Sequence, residues 1–290
     1  MATPTLTDVV VEFLTEREIT SVLVPNAFPV GYADGLRAHG LELTVKEDPF
    51  FDERTIKTRS EVDAISIASR HTESAIQAAI DTISDATIKD GILVGPDGIL
   101  TSEYIKRLIN IHLLERDCVA ENTIVACGIQ GCDPHNSGSG TLRSGEPIIM
   151  DVFPKDITTG YYADITRTVV KGVASDALRR QYDTVLEGQQ VAFDQLKDGA
   201  DGQAIHRSIQ SLFEEKGYQT GAVDGRMQGY FHGTGHGFGL EIHEPPRISP
   251  LPETLRTGQI VTVEPGLYYT DTGGVRIEDD AWITSCGYDN

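Results

Sequence analysis

Between His232 and Leu240 glycine takes every second place, at Gly233, Gly235, Gly237 and Gly239. Each glycine weakens a helix by about 1 kcal/mol relative to alanine, so the segment HGTGHGFGLEIHEPP reads as extended chain. Extended, it places His232, Thr234, His236, Phe238 and Leu240 on one face and bare glycine on the other. A bare face admits another backbone or a ligand at close range. The pattern excludes the helical H-E-x-x-H zinc motif. Its bland alternative is a glycine-rich loop with two structural histidines.

The elements around this segment come in runs. Residues 1 to about 50 read as helix, strand, helix, strand, in LTDVVVEFLTERE, ITSVLVP, GYADGLRAHG and LELTV. This is a small α/β unit, and the segment DPFFDERTIKTR punctuates the chain after it. A long helix is expected next, with Ser60 as N-cap and Asp63 three residues on. Another starts after Thr101. Short alternating strands broken by Gly, Pro and Asn fill 120–174. Helices near 175–197 and 202–217 follow, and 228–287 returns to strand and loop. Runs of helices and runs of strands, without βα alternation, predict an α+β fold with mostly antiparallel sheet. The division expected is 1–50 and 51–290.

The chain carries 24 basic and 44 acidic residues among its 290, a net charge of −20. That balance repels phosphate backbones and excludes nucleic acid as a partner. It fits either surface solubility or adaptation to high internal salt. No apolar run approaches the ~20 residues of a membrane span, and the N-terminus lacks the basic region and cleavage site of a secretion signal. Four cysteines, Cys118, Cys127, Cys132 and Cys286, form no C-x-x-C pair and are too few for a disulfide scaffold. Reduced thiols in the cytoplasm are expected.

Acids recur at the ends of apolar runs. Asp151 closes PIIM, and Asp164 stands thirteen residues on in GYYADITRTVV. The loop FPKDITTG between them reads as a hairpin that would bring the two carboxylates together from neighbouring strands. Asp164 falls in a strand-like run, where aspartate is disfavoured; the bland reading is two turn aspartates. Glu264 closes QIVTVEPG before a Pro-Gly turn. In GGVRIEDDAWIT a period of two puts Arg276, Glu278 and Asp280 on one face, opposite Val275 and Ile277. Two Asp, two Glu and one His form an oxygen-rich set whose four carboxylates balance two divalent cations. One imidazole and no thiolate favours Mn or Co, with Fe or Zn as alternatives. Such a site makes hydroxide near neutral pH and polarises a carbonyl, so hydrolysis of an amide or ester is the reaction class expected.

The ordered series Asp151, Asp164, His236, Glu264, Glu278, with the phrases GYYADITRT, HGTGHGFGLEIHE, TVEPGLY and GGVRIEDD, resembles the pita-bread (creatinase/aminopeptidase) metallopeptidases over residues 52–290. Arg276, two before the last glutamate, is similar to the Xaa-Pro peptidase branch, which holds aminopeptidase P and prolidase. The resemblance implies a pita-bread fold with flanking helices, preceded by the last portion of a small N-terminal α/β domain. It implies two divalent ions, with manganese ranked first, then Co, Zn or Fe. Asp151 would chelate one metal, Asp164 and Glu278 would bridge both, and His236 and Glu264 would hold the second. Glu264 would also shuttle a proton for the metal-bridging hydroxide. His243 would bond the scissile carbonyl, His232 would line the proline side, and His135 would stand on the substrate side.

The implied activity is hydrolysis of the Xaa-Pro bond in dipeptides or at peptide N-termini, by a cytoplasmic homodimer whose substrate has proline second. The chain departs from the family pattern in placing Val152-Phe153-Pro154 after the first Asp. The thirteen-residue gap to Asp164 is two longer than is common in the family. The chain also runs only twelve residues past Glu278. Two alternatives stay open: a metal-dependent hydrolase or lyase of other specificity on the same fold, and a non-catalytic peptidase-like binding module.

Overall fold

A computed structural model describes residues 3–47 and 49–290. Met1, Ala2 and Asp48, which belong to the expected N-terminal helical unit and the punctuating segment, lie outside the described residues. By internal packing the chain divides into two units, 1–54 and 55–290. In the first, α1 (Leu6–Thr15) and α2 (Val30–Ala38) accompany two parallel strands, Ser21–Pro25 and Glu42–Lys46. Thr5 and Asp8 close a reciprocal capping box at the start of α1.

The second unit opens with α3 (Arg59–Asp85). Its N-cap is Thr58 and not Ser60. Glu61 accepts from the Thr58 backbone N–H at 2.7 Å and from its hydroxyl at 2.5 Å. Glu61 thus closes the capping box, while Asp63 pairs with Arg59 at 3.0 Å. Helix α4 (Ser102–Leu114), capped by Thr101, packs beside α3. Ala75, Ile76, Ala79 and Ile83 of α3 meet Ile105, Ile109 and Leu113 of α4 over the strands Ile124–Cys127 and Ile148–Val152. A second core lies under α5 (Asp176–Phe193) and α6 (Gly202–Glu215), where Val185, Ile209 and Phe213 cover Val261, Val263 and Val275. None of the described helices is long and apolar enough to cross a membrane.

Every strand pair of this unit is antiparallel. Ile148–Val152 lies between Ile165–Val169 and Ile124–Cys127. A five-stranded sheet runs in the order Glu244–Ile248, Gly235–Gly237, Ile260–Val263, Asp279–Ile283, Tyr288–Asp289. An isolated bridge between Thr166 and Glu278 joins the two sheets, with the Glu278 N–H donating to the Thr166 carbonyl at 3.1 Å. The acid-bearing strand ends of both sheets meet at this seam. The architecture is α+β with mostly antiparallel sheet, as the runs of elements predict.

Two local readings differ from expectation. Asp164 precedes its strand and is not inside it; Thr166 is the residue opposite Asp151 in the register. The alternation across the glycines also ends early, because the strand covers only Gly235–Gly237. Phe238 therefore joins the core with Val62, Ile65 and Ile260, while His236 lines a cleft. The bare glycine face is packed by backbone. A Cβ on Gly235 would lie 1.9 Å from the Thr262 carbonyl oxygen, and one on Gly237 would lie 2.4 Å from that of Pro245.

Candidate metal centre

One cleft of about 510 Å³ is lined by all of Asp151, Asp164, His236, Glu264 and Glu278, and also by His135, His232, His243 and Arg276. The tightest group is Asp164, His236 and Glu278, whose ligand atoms lie within 4.8 Å of one another. His236 Nε2 stands 3.7 Å from Asp164 Oδ2 and 3.5 Å from Glu264 Oε1. Asp151 lies outside the tight group, with Oδ2 held by Arg276.

The tautomer of His236 follows from its other nitrogen. Nδ1 lies 3.1 Å from the Gly237 carbonyl, which can only accept. Nδ1 therefore carries the proton, and the Nε2 lone pair faces the carboxylates, the form a metal ligand requires. Burial, with His243 beside it, pushes the His236 pKa down to about 3, so the ring is neutral.

The carboxylates are in the opposite predicament. Burial first, then Glu278, Asp151 and their neighbours, holds Asp164 well above the usual carboxylate range. Burial and Glu264 do the same to Glu278. Glu264 is pushed up to about 8 by burial, against the opposing pull of Arg276 and with Asp151 adding to the rise. Like charges packed into a dry site cannot all ionise without cations. Asp151 Oδ1 is buried without a hydrogen-bond partner, an orphan acceptor of the kind that otherwise costs stability. Donor chemistry, orientation and the orphaned oxygen all fit divalent metal.

A frame of polar side chains holds these carboxylates. Arg276, 3% exposed, donates through Nη2 to Asp151 Oδ2 at 2.6 Å, through Nη1 to the Tyr268 hydroxyl at 3.0 Å and through Nε to Thr166 Oγ1 at 3.3 Å. The Thr166 hydroxyl donates to Glu278 Oε2 at 2.6 Å, and Thr262 to Glu264 Oε1 at 3.3 Å. His232 Nδ1 bonds the Gly233 carbonyl at 2.7 Å, which leaves Nε2 to accept from Tyr268 at 2.8 Å. Both His232 nitrogens are thus engaged. His243 sits 4.4 Å from His236, ring centre to ring centre, and its exposed ring is available to a ligand. The loop between Asp151 and Asp164 is closed by a turn in which Asp156 Oδ1 accepts from the N–H groups of Thr158 and Thr159, both at 2.8 Å.

Sequence reasoning passes over Tyr268, Thr166, Thr262, Lys57 and Glu244. Tyr268 ends the quoted phrase TVEPGLY, but nothing in the letters says that its ring is fully buried. Lys57 pairs with Glu244 at 3.2 Å although the two lie 187 positions apart, a separation no spacing rule can span.

Residues 63–285 match Metallopeptidase family M24. The chain is 31% identical over 274 residues to a Xaa-Pro dipeptidase of Pyrococcus horikoshii, covering 93% of this chain and 72% of that protein. It is 33% identical over 244 residues to a Xaa-Pro dipeptidase of Pyrococcus furiosus, covering 83% of this chain but 64% of that protein, just under two thirds of its length. Among solved structures, a Xaa-Pro dipeptidase from Bacillus anthracis superposes with a TM-score of 0.86 at 26% identity, over 99% of this chain and 76% of that one. The chain belongs to metallopeptidase family M24 and has its pita-bread fold.

Proposed function

We propose that this chain hydrolyses the peptide bond between an N-terminal residue and a following proline. The observation that carries the reading is the convergence of five metal-ligand side chains on one cleft, three of them with ligand atoms within 4.8 Å. The Xaa-Pro dipeptidase names of the relatives support the substrate class. Asp151, Asp164, His236, Glu264 and Glu278 would hold two divalent ions, manganese first in rank, in a homodimer. When bound, such ions acidify water and polarise a carbonyl.

The remaining work falls to side chains. Glu264 takes a proton from the attacking water and returns it to the proline nitrogen as the C–N bond breaks; the acid's remaining proton then passes to the amine, which leaves a carboxylate and a secondary ammonium. His243, its pKa lowered by burial and then by Arg247, is neutral and donates N–H to the carbonyl oxygen. Arg276 offsets the charge of Asp151 without entering the reaction. The scissile nitrogen of proline has no N–H, so the prolyl side needs shape and no acceptor. His232, locked by Gly233 and Tyr268, and Phe231 beside it supply flat walls.

Arg247 lines the same cleft, is exposed and has no ion pair among the described residues. It suits the free carboxylate of a Xaa-Pro dipeptide, which supports dipeptidase use.

The test is manganese-supplemented hydrolysis of Ala-Pro with bound metal counted on the same preparation. Cleavage at about two ions per chain is expected from the two-metal reading. Full metal occupancy without cleavage would defeat the peptidase reading. His243→Ala should lower kcat by on the order of 100-fold and leave the metal content unchanged.

A further inference from the structure

The strands that lead to Glu264 and Glu278 are paired only as far as Val263 and Asp279. Each acid stands one residue past that last pair. Beyond it the two chains part. The Glu264 N–H donates to the Thr234 carbonyl at 2.7 Å, and the Glu278 N–H donates to the Thr166 carbonyl at 3.1 Å. The ladder therefore does not fix the distance between the two carboxylates, and when ionised they repel each other.

Three side chains close the gap from the side away from the cleft. Gln189 of α5 is 4% exposed, and its Nε2 carries two hydrogens. It donates to the Val263 carbonyl at 3.1 Å and to Asp279 Oδ2 at 3.0 Å. Asp279 Oδ1 accepts from Arg167 Nη2 at 2.6 Å. Arg167 Nη1 then donates to the Glu278 carbonyl at 2.6 Å and to the Thr166 carbonyl at 3.0 Å. One continuous chain of bonds runs from the residue before Glu264 to Glu278 itself.

Strand alternation puts this chain of bonds behind the site. The hydroxyls of Thr166 and Thr168 serve Glu278 Oε2 and the Arg276 carbonyl, so Arg167 between them points to the other face. There it lines a separate cavity of about 570 Å³. Gln189, Asp279 and Arg167 are all absent from the lining of the metal cleft, so they act through the residues they hold. The two ends of the candidate site are supported differently. Asp151 is held directly by Arg276 at 2.6 Å, whereas Glu264 accepts from Thr262 at the longer distance of 3.3 Å.

We propose that Gln189, Asp279 and Arg167 are positioning residues that set the spacing of Glu264 and Glu278. They thereby govern the affinity for the second divalent ion, the one that His236 and Glu264 would hold. The inference rests on the two-ion reading given above and deepens it, because it makes the two ions unequal in what they require of the protein. The ion at Asp151 is supported by Arg276 and does not depend on this chain of bonds.

The experiment titrates manganese calorimetrically into the metal-stripped parent, Gln189→Met, Arg167→Gln, Arg167→Lys and Leu178→Ala, with Ala-Pro hydrolysis followed alongside. Leu178 is buried at the start of the same helix, about three turns from Gln189, so its truncation loosens the core without touching the chain of bonds. The parent should take up about two ions per chain. Gln189→Met and Arg167→Gln should bind the first ion as the parent does and the second about 10–100-fold more weakly. Ala-Pro hydrolysis should then require proportionately more manganese. Arg167→Lys keeps a cation beside Asp279 and should recover part of the loss, and Leu178→Ala should bind both ions normally. Where Gln189→Met does not fold, Arg167→Gln, at a side chain 32% exposed, carries the test. Equal weakening of both steps, no weakening, or a matching loss in Leu178→Ala would each overturn the positioning role. A parent that binds a single ion would overturn the two-ion reading and the positioning role together. A parent that binds two ions and leaves Ala-Pro uncut would overturn the peptidase reading alone, and the isotherms then decide the positioning role.

Discussion

Arg276 and Asp151 form a buried pair at 2.6 Å, and the same guanidinium also serves Tyr268 and Thr166. One planar fork therefore links Asp151 on one sheet to Tyr268, which bonds His232, and, through Thr166, to Glu278. Arg276→Met leaves Asp151 buried and uncompensated, and a loss of about 3–5 kcal/mol is expected. Arg276→Lys should recover only part of it, because an ammonium cannot reach three partners in different directions. Urea unfolding measures both, and an unchanged midpoint for Arg276→Met would refute the pair's importance.

Asp164 is central to the tight ligand group, so Asp164→Ala should lose bound metal and activity together. Metal at 100 times its Kd stabilises a fold by about 2.7 kcal/mol, and this gain should vanish in the variant. The metal-stripped variant should be no less stable than the metal-stripped parent, since the substitution removes a like charge from a dry cluster. Elemental analysis and thermal melts with and without chelator check both parts. Retained metal would remove Asp164 from the ligand set.

Gly235 explains the sequence feature that most limits the fold. Its missing Cβ leaves room for the Thr262 carbonyl, 1.9 Å from where that atom would be. Gly235→Ala must push backbone against backbone, and a cost on the order of 3 kcal/mol or more is expected. Gly221→Ala, with nothing within 4 Å of the added atom, should stay within about 0.5 kcal/mol. Comparable melts for the two variants would contradict the packing account.

The glycine spacing, the acids closing apolar runs and the runs of helix and strand were all legible because each is local. The alternation told that a backbone would approach but not which one. It also misplaced Phe238 relative to His236, because the strand ends at Gly237 and the period of two does not carry past it. Thr58 took the N-cap over Ser60 with Glu61 reaching back to it while Asp63 paired with Arg59, a contest that capping statistics leave open. Tyr268, Thr166 and Lys57 were illegible for a different reason. Each owes its place to a partner far off in sequence, and a polar residue gives no sign of whether it will be buried.

Lys57 and Glu244 are 1% and 6% exposed at their side chains. Glu244 follows His243 and also accepts from the Glu241 N–H at 3.1 Å, so the pair closes the loop that carries His243 into the cleft. Lys57→Met should cost about 3–5 kcal/mol by removing the ammonium that faces a buried carboxylate. Adding Glu244→Gln should return part of that loss, and kcat should fall in both while metal content holds. A double-mutant cycle with no coupling would show that the two side chains act independently.

His206 provides the pH test. Its Nδ1 lies 3.0 Å from Thr234 Oγ1 and 3.1 Å from the Tyr230 hydroxyl, inside the α5–α6 half of the fold. Burial pushes its pKa from 6.5 down to about 4. Between those values the unfolded chain binds a proton that the folded chain refuses, so stability rises with pH across the window and is lost as pH falls from 6.5 toward 4. His206→Asn removes the proton-linked part, and its stability should depend less steeply on pH over that range. His232 and His236 are lowered further, to about 3, so the variant keeps a residual acid limb. Urea unfolding at pH 4.5, 5.5 and 7.5 measures the slope, and identical slopes for parent and variant would show that His206 is protonated as readily in the fold as outside it.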